Sequence, residues 1–164
     1  VKHKSSTAIR ETEELAGMYD AVFAPTDGSD DSAIALDHAI ELAERYDATL
    51  HTQYVIESVQ VADAIEDFTE SDVYARLEDA GRQAVDDVVE RAQRADIDRI
   101  ESSIVRGVPH EAILDYLDEN DVDIVVMATA GREGAEREII GSVTEKVIRS
   151  SPVPVVAVNV GDVA

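Results

Sequence analysis

Two small-residue segments of this sequence have the types and spacing to do chemistry. In the first, Met127-Ala128-Thr129-Ala130-Gly131 is separated by nine residues from Gly141-Ser142. An apolar run, Ile124-Val125-Val126-Met127, leads in, and Ser142-Val143-Thr144-Glu145 has the form of a helix start. A strand that ends in a small-residue loop and feeds a helix N-terminus builds an anion site. Glycine lets backbone come close to a phosphate, and the free N–H groups and dipole of a helix end favour negative charge. The second segment is Pro25-Thr26-Asp27-Gly28-Ser29. Asp27 there could hold a polar ligand, or it could serve only the turn, since Asp-Gly is a common turn dipeptide. Together the two segments imply a nucleotide-type site on an α/β domain.

The elements that must position them alternate along the chain. Ala21-Val22-Phe23-Ala24 has the form of a short buried strand stopped by Pro25. Ser29 or Asp30 is placed to cap a helix whose Ala33, Leu36, Ile40 and Ala43 recur at helical spacing. Thr49 to Ile56 is a second strand, and residues 57–71 form a long connection with room for a short helix. Val73, Leu77, Ala80, Ala84 and Val88 mark a long amphipathic helix to about Arg94. Ile100 to Val105 is a third strand. Pro109 suits the first turn of the helix that follows, which carries Ile113, Tyr116 and Leu117 inward. Val122 to Met127 is the fourth strand, Ser142 to Ser150 the fourth helix and Val155 to Val158 the fifth strand. Ser142 with Glu145 has the spacing of a capping box. Five strands with interleaved helices imply a parallel doubly wound α/β sheet, Rossmann-like, with helices on both faces. Ligands in such sheets lie beyond the strand C-termini at the switch point. Residues 1–17 form a polar N-terminal extension that need not fold, and the domain is expected over 18–160.

Composition bounds the rest. A chain of 164 residues is long enough for one substantial core. It contains no Cys, which excludes disulfides, thiol chemistry and Cys-based metal sites. No apolar run approaches the ~20 residues needed to cross a bilayer, and the N-terminus lacks the apolar stretch of a secretory signal. A cytoplasmic location is the expectation. Asp and Glu number 36 against 14 Lys plus Arg, for a formal charge of −22. Such a field repels nucleic acid. The acids are scattered along every helix rather than gathered in a tail, a pattern that fits adaptation to concentrated salt better than one cationic partner. Carboxylates there hold hydrated cations, and a Debye length of about 3 Å at 1 M suppresses self-repulsion.

The segments quoted above resemble, in order and spacing, a universal stress protein domain. Pro25-Thr26-Asp27-Gly28-Ser29 looks like its opening turn and Gly107-Val108-Pro109-His110-Glu111-Ala112-Ile113 like its turn into the third helix. Gly131-Arg132-Glu133-Gly134 through Ile139-Ile140-Gly141-Ser142-Val143-Thr144-Glu145 is similar to its nucleotide loop, and Ser151-Pro152-Val153-Pro154-Val155 to its run into the last strand. The resemblance covers about residues 18–160. It implies strand order 3-2-1-4-5, and a homodimer paired through the fifth strand, Val155 to Val158. It also implies binding of ATP, or of ADP or AMP, with Mg²⁺ or another divalent cation on the phosphates. By resemblance Asp27 would hydrogen-bond the adenosine part, and Thr26 would line the base pocket with Val55. Gly131, Arg132, Gly141, Ser142, Val143 and Thr144 would surround the phosphates, and Pro25, Met127 and Ala128 would also belong to the nucleotide site. ATP-binding members carry G-x2-G-x9-G-[S/T]; here Ala128 stands at the first glycine, where a methyl could crowd the ligand or be absorbed. Glu133, Glu136 and Glu138 in the loop would weaken phosphate binding unless they face solvent, and Arg132 could pair with Glu133 or Glu136 instead of phosphate.

No catalytic set stands out. The four His residues (His3, His38, His51, His110) are scattered without metal-ligand spacing, and each suits a surface or packing role. There is no G-x4-G-K-[S/T] loop, and Asp27-Gly28-Ser29-Asp30-Asp31-Ser32 only faintly echoes the S-G-G-x-D-S loop of ATP pyrophosphatases. Any ATP hydrolysis would be slow. The leading expectation is a nucleotide-binding regulatory protein of the stress response. Its rivals are a family member that acts as an interaction protein without nucleotide, and an adenylate-handling enzyme on the same fold.

Overall fold

The structure is a computed structural model that describes residues 17–58, 61–62, 68–129 and 140–160. Strands and helices alternate through it: β1 (Ala21–Phe23), α1 (Asp30–Tyr46), β2 (Thr49–Glu57), α2 (Glu70–Arg94), β3 (Ile100–Gly107), α3 (Pro109–Glu119), β4 (Ile124–Ala128), α4 (Ser142–Ser150) and β5 (Val155–Val158). The strands form one parallel sheet in the order β3-β2-β1-β4-β5, the expected doubly wound arrangement. Strand limits differ from expectation by one or two residues. β1 stops at Phe23, β2 and β3 run on to Glu57 and Gly107, and β4 begins at Ile124 and ends at Ala128. The expected connection at 57–71 lies partly outside the described residues, as does the extension before residue 17.

Side-chain alternation along the central strands divides the core in two. Val22, Ala24, Leu50, Ile124 and Val126 face α1 and pack with its Ala35, Leu36, Ala39, Ile40 and Ala43. Phe23, Val125 and Met127 face the other way and pack with Ile113 and Leu117 of α3 and Val147 of α4. Tyr54 and Ile56 extend the first face beneath Val73, Ala84 and Val85 of α2. A strand covered on both sides must be apolar on both, which explains why β1 and β4 are near-continuous hydrophobic runs.

The helix starts are set by local chemistry. Ser29, in extended backbone, accepts a hydrogen bond from Ser32 N–H at 3.2 Å and caps α1, with Asp30 and Asp31 in the first turn. Thr69 caps α2 in the same way through Asp72 N–H. Pro109 occupies the first turn of α3. The expected capping box on α4 does not form. Gly141 is the N-cap, Ser142 is already helical, and there is no side-chain cap hydrogen bond. The S-x-x-E spacing is one residue out of phase with the observed helix start, so Thr144 rather than Glu145 sits at the third position.

The inward face of α2 departs from expectation at one place. Ala80 is exposed, and Gly81 is buried against the ring of Tyr54. A Cβ at Gly81 would lie 2.7 Å from Tyr54 Cδ1, closer than van der Waals contact allows. Tyr54 is itself buried in β2, so its ring cannot swing away into solvent. Replacing Gly81 with Ala would gain about 1 kcal/mol of helix propensity but overpack the contact at a cost of about 1–3 kcal/mol. Gly81→Ala is therefore expected to lower the melting temperature, and Tyr54→Leu added to it should recover part of the loss. Thermal unfolding of the single and double variants measures both.

Candidate functional site

Paired strands β1 and β4 part the connections of the sheet. From β1 the chain crosses by α1 to β2, and from β4 it crosses by α4 to β5 on the other side. The two strands are in register at Val22↔Ile124 and Phe23↔Val125. Beyond these pairs their C-terminal ends open into the crevice where such sheets bind ligands. Pro25, Thr26 and Asp27 leave from β1 at this level, and Met127 and Ala128 arrive from β4.

The Thr26 to Ser29 turn is held from several sides. Thr26 bridges to Tyr54 of β2, its N–H donating to Gln53 O at 3.0 Å. This bridge sets Val55, half-buried, beside the turn. Thr26 Oγ1 accepts from Gly28 N–H at 3.1 Å and lies 3.3 Å from Ser32 Oγ. Asp27 Oδ1 accepts from Ser29 N–H at 2.9 Å, so the turn role of this carboxylate is real. The half-buried side chain sits at the C-terminal end of β1. Gly28 has φ +78° and approaches Ala84 of α2, where an added Cβ would be 3.4 Å from the Ala84 Cβ. The left-handed backbone favours glycine there.

On the β4 side, Gly141 N–H donates to Thr129 O at 2.6 Å, and Thr144 Oγ1 donates to Ala128 O at 2.8 Å. These two bonds tie the start of α4 to the end of β4. Thr144 is buried and its hydroxyl is committed to that tie, so its route to an anion is through its main chain. Ser142 is exposed and Val143 packs beside the α3–α4 core. Met127 is buried on that same face, forming floor rather than wall. Ala128 faces the opposite way. Its methyl packs against the core under α1, on the far side of the sheet from α4. Gly131 and Arg132, with Glu133, Glu136 and Glu138, lie outside the described residues.

Two polar residues in β2 escaped the sequence reading as parts of a set. His51 Nδ1 and the Tyr116 hydroxyl share a hydrogen bond of 2.7 Å, with Tyr116 stacked on Phe23 at 4.5 Å between ring centroids. Gln53, two residues on, is 4% exposed, and its Nε2 donates to Ser103 Oγ at 3.4 Å. Its Oε1 is buried without a partner among the described residues. The available signal was the polar run His51-Thr52-Gln53 inside a strand that must be covered on both faces. Among the described residues no group of His, Asp and Glu could hold a metal ion, and no helix is long and apolar enough to cross a membrane.

A parallel sheet in this order defines the Rossmann-like, doubly wound α/β class, and comparison with known proteins gives the family. The sequence model of the Universal stress protein family matches residues 18–159. The chain belongs to that family. Universal stress protein MJ0531 of Methanocaldococcus jannaschii is 31% identical over 154 residues, covering 94% of this chain and 88% of the relative. The solved structure of MJ0577, from the same organism, superposes with a TM-score of 0.78 at 27% identity, covering 88% of this chain and 99% of that one. A universal stress protein solved in complex with cAMP superposes with a TM-score of 0.64 at 26% identity, covering 87% and 98%.

Burial pushes the His51 imidazole below its ordinary pKa, with Glu101 pulling weakly the other way. Burial, reinforced by Glu101, pushes Tyr116 up, so the phenol keeps its proton. Because the folded state binds the His51 proton less readily than the unfolded chain, stability is complete above the ordinary His value of about 6.5. It falls as pH drops below that value toward the folded pKa. Melting temperature should therefore decline between pH 7 and 5, and His51→Leu should flatten that part of the profile. An identical profile in the variant would assign the acid sensitivity to the carboxylates instead.

Proposed function

We propose that this chain is a nucleotide-binding universal stress protein with a regulatory role, taking ATP, ADP or AMP in the crevice between β1 and β4. The observation that carries the proposal is the pairing of two structures at one strand-end opening. One is the Thr26–Gly28 turn with Asp27 at its centre. The other is the start of α4, where glycine is the N-cap and no side chain occupies the cap. Asp27 and Thr26, with Pro25, Val55 and Met127, form the nucleoside end. The N-terminal N–H groups of α4 from Ser142 to Thr144, after Gly141, favour phosphate, and Gly131 and Arg132 complete that end. The residues present fit the group: the Ala128 methyl packs away from α4, so the replaced glycine leaves the anion side unobstructed. Mg²⁺ or another divalent cation would supply charge neutralisation on the phosphates. The relative solved with cAMP supports an adenine nucleotide as the ligand class.

A second reading, an interaction protein without nucleotide, is favoured by the loop acids Glu133, Glu136 and Glu138. No general base stands out among the described residues of the crevice, and we expect turnover to be at most slow hydrolysis. The acidic surface is read as an adaptation to concentrated salt in a cytoplasmic protein. The ion pairs found, such as Arg45–Glu41 and Arg94–Glu90, are exposed and stabilise little.

Calorimetry in molar KCl with ATP and Mg²⁺ separates the readings. The wild type should bind. Asp27→Ala should weaken binding by about 1–3 kcal/mol, the scale for removing a partner of a buried polar group. Gly141→Val should abolish it, with circular dichroism showing the fold retained. Unchanged affinity in the Gly141 variant removes this site, and no binding by the wild type favours the second reading.

Strand β5 ends the sheet, with Val156 and Ala157 exposed and no lysine to blunt the edge. An open edge of this kind invites pairing, and a homodimer through antiparallel β5 strands is proposed. Val156→Asp should then sediment as a monomer in high salt where the wild type sediments as a dimer. A dimeric variant rules this interface out.

A further inference from the structure

We propose that Gln53 is the residue that selects the base in this crevice, its amide carbonyl accepting from the exocyclic amino group of adenine. The inference rests on the nucleotide reading above. Parallel register sets Gln53 opposite Ser103 and Val55 opposite Val105. Alternation puts these four on one face of the sheet, shared with His51, which meets Tyr116 of α3. On the opposite face, Tyr54 and Ile104 pack under α2. Gln53 is buried, while Ser103, Val55 and Val105 around it are only half-buried. The amide thus lies buried on the α3 face beside three half-buried neighbours, two of them valines. Gln53 adjoins the turn directly, since its carbonyl receives the Thr26 N–H.

The amide itself is half-satisfied. Nε2 donates to Ser103 Oγ at 3.4 Å, and Oε1 is buried with no partner among the described residues. Exchanging the two ends of the amide would give Ser103 an acceptor to donate to, but would leave the NH₂ end short instead. One end of this side chain is left over in either orientation. Buried orphans are rare and destabilising. A hydrophobic residue would fill the position without that cost, so the amide fits a role toward a ligand. With Ser103 holding the NH₂ end, the left-over end is an acceptor and suits an N–H donor. Adenine offers an amino group at the position where hypoxanthine offers a carbonyl oxygen. A carbonyl acceptor attracts the first and repels the second.

The test compares ATP with inosine triphosphate by calorimetry in molar KCl with Mg²⁺. Wild type should prefer ATP by about tenfold or more, the effect of one hydrogen bond and its mismatch. Gln53→Leu, with similar volume and folding checked by circular dichroism, should bring the ratio of the two dissociation constants toward one, mainly by weakening ATP. Ser103→Ala, which frees the amide, should lower the ratio as well, and it decides the matter if the Leu variant does not fold. Equal wild-type affinities, or a ratio that survives in both variants, would overturn the assignment of Gln53 while leaving the nucleotide site intact. Failure of the wild type to bind either triphosphate overturns the reading on which the assignment rests.

Discussion

A carboxylate at the bottom of the sheet sets the geometry at its top. Asp123 Oδ2 accepts from both Asp20 N–H at 2.7 Å and Ala21 N–H at 2.9 Å, and Asp123 N–H donates to Ala21 O at 2.9 Å. These bonds fix the entry of β1 against the entry of β4. β1 is only three residues long, and Val22 and Phe23 have no exposed surface. With its start pinned and both faces buried, a slip of one residue would exchange Val22 and Phe23 between two cores of different shape. The positions of Thr26 and Asp27 relative to Met127 and Ala128 follow from that register. The crevice is therefore defined from the opposite edge of the sheet, by charge-assisted bonds to backbone and by packing on two faces.

What was legible in the sequence is what depends on short-range chemistry. Ser29 as a cap, Pro109 in a first turn and the apolar runs of β1, β4 and β5 each follow from one residue's own preference or from a pattern of period two or 3.6. The strand order came from family resemblance, and the sheet bears it out. The misses have a common cause. Gly81 replaces Ala80 on the buried face of α2 because the ring of Tyr54, from a different element, decides which position can come close. Residue type along α2 could not reveal a contact with a side chain on β2. The capping box at Ser142 failed because Gly141 N–H is drawn to Thr129 O and Thr144 Oγ1 to Ala128 O. Those tertiary bonds shift the helix start by one residue, against a local pattern that is equally good on paper.

Polar residues buried in β2 show the same competition between local and global demands. Thr52 is fully buried, yet its hydroxyl donates to Ala24 O at 2.7 Å, so it is paid back within the sheet. His51 is buried and shares its bond with Tyr116. Gln53 is the member whose second polar end finds nothing. Three neighbours in one strand thus run from full satisfaction to a deficit, and the deficit lies nearest the strand C-terminus. Natural sequences tend to be consistent across levels and to break the rule at functional positions. The deficit at Gln53 follows that expectation.

Ala128 illustrates how backbone and side chain can answer to different constraints at one position. Its carbonyl serves α4, receiving the Thr144 hydroxyl and holding the helix start in place. Its methyl is on the other side, packed with the core under α1 alongside Val126 and Ile124 of the same strand. A glycine here would keep the carbonyl bond and lose the methyl contact, and would also add backbone freedom to the unfolded chain. The methyl thus stabilises the end of β4 on the face opposite α4. At Gly28, by contrast, the left-handed backbone itself favours glycine.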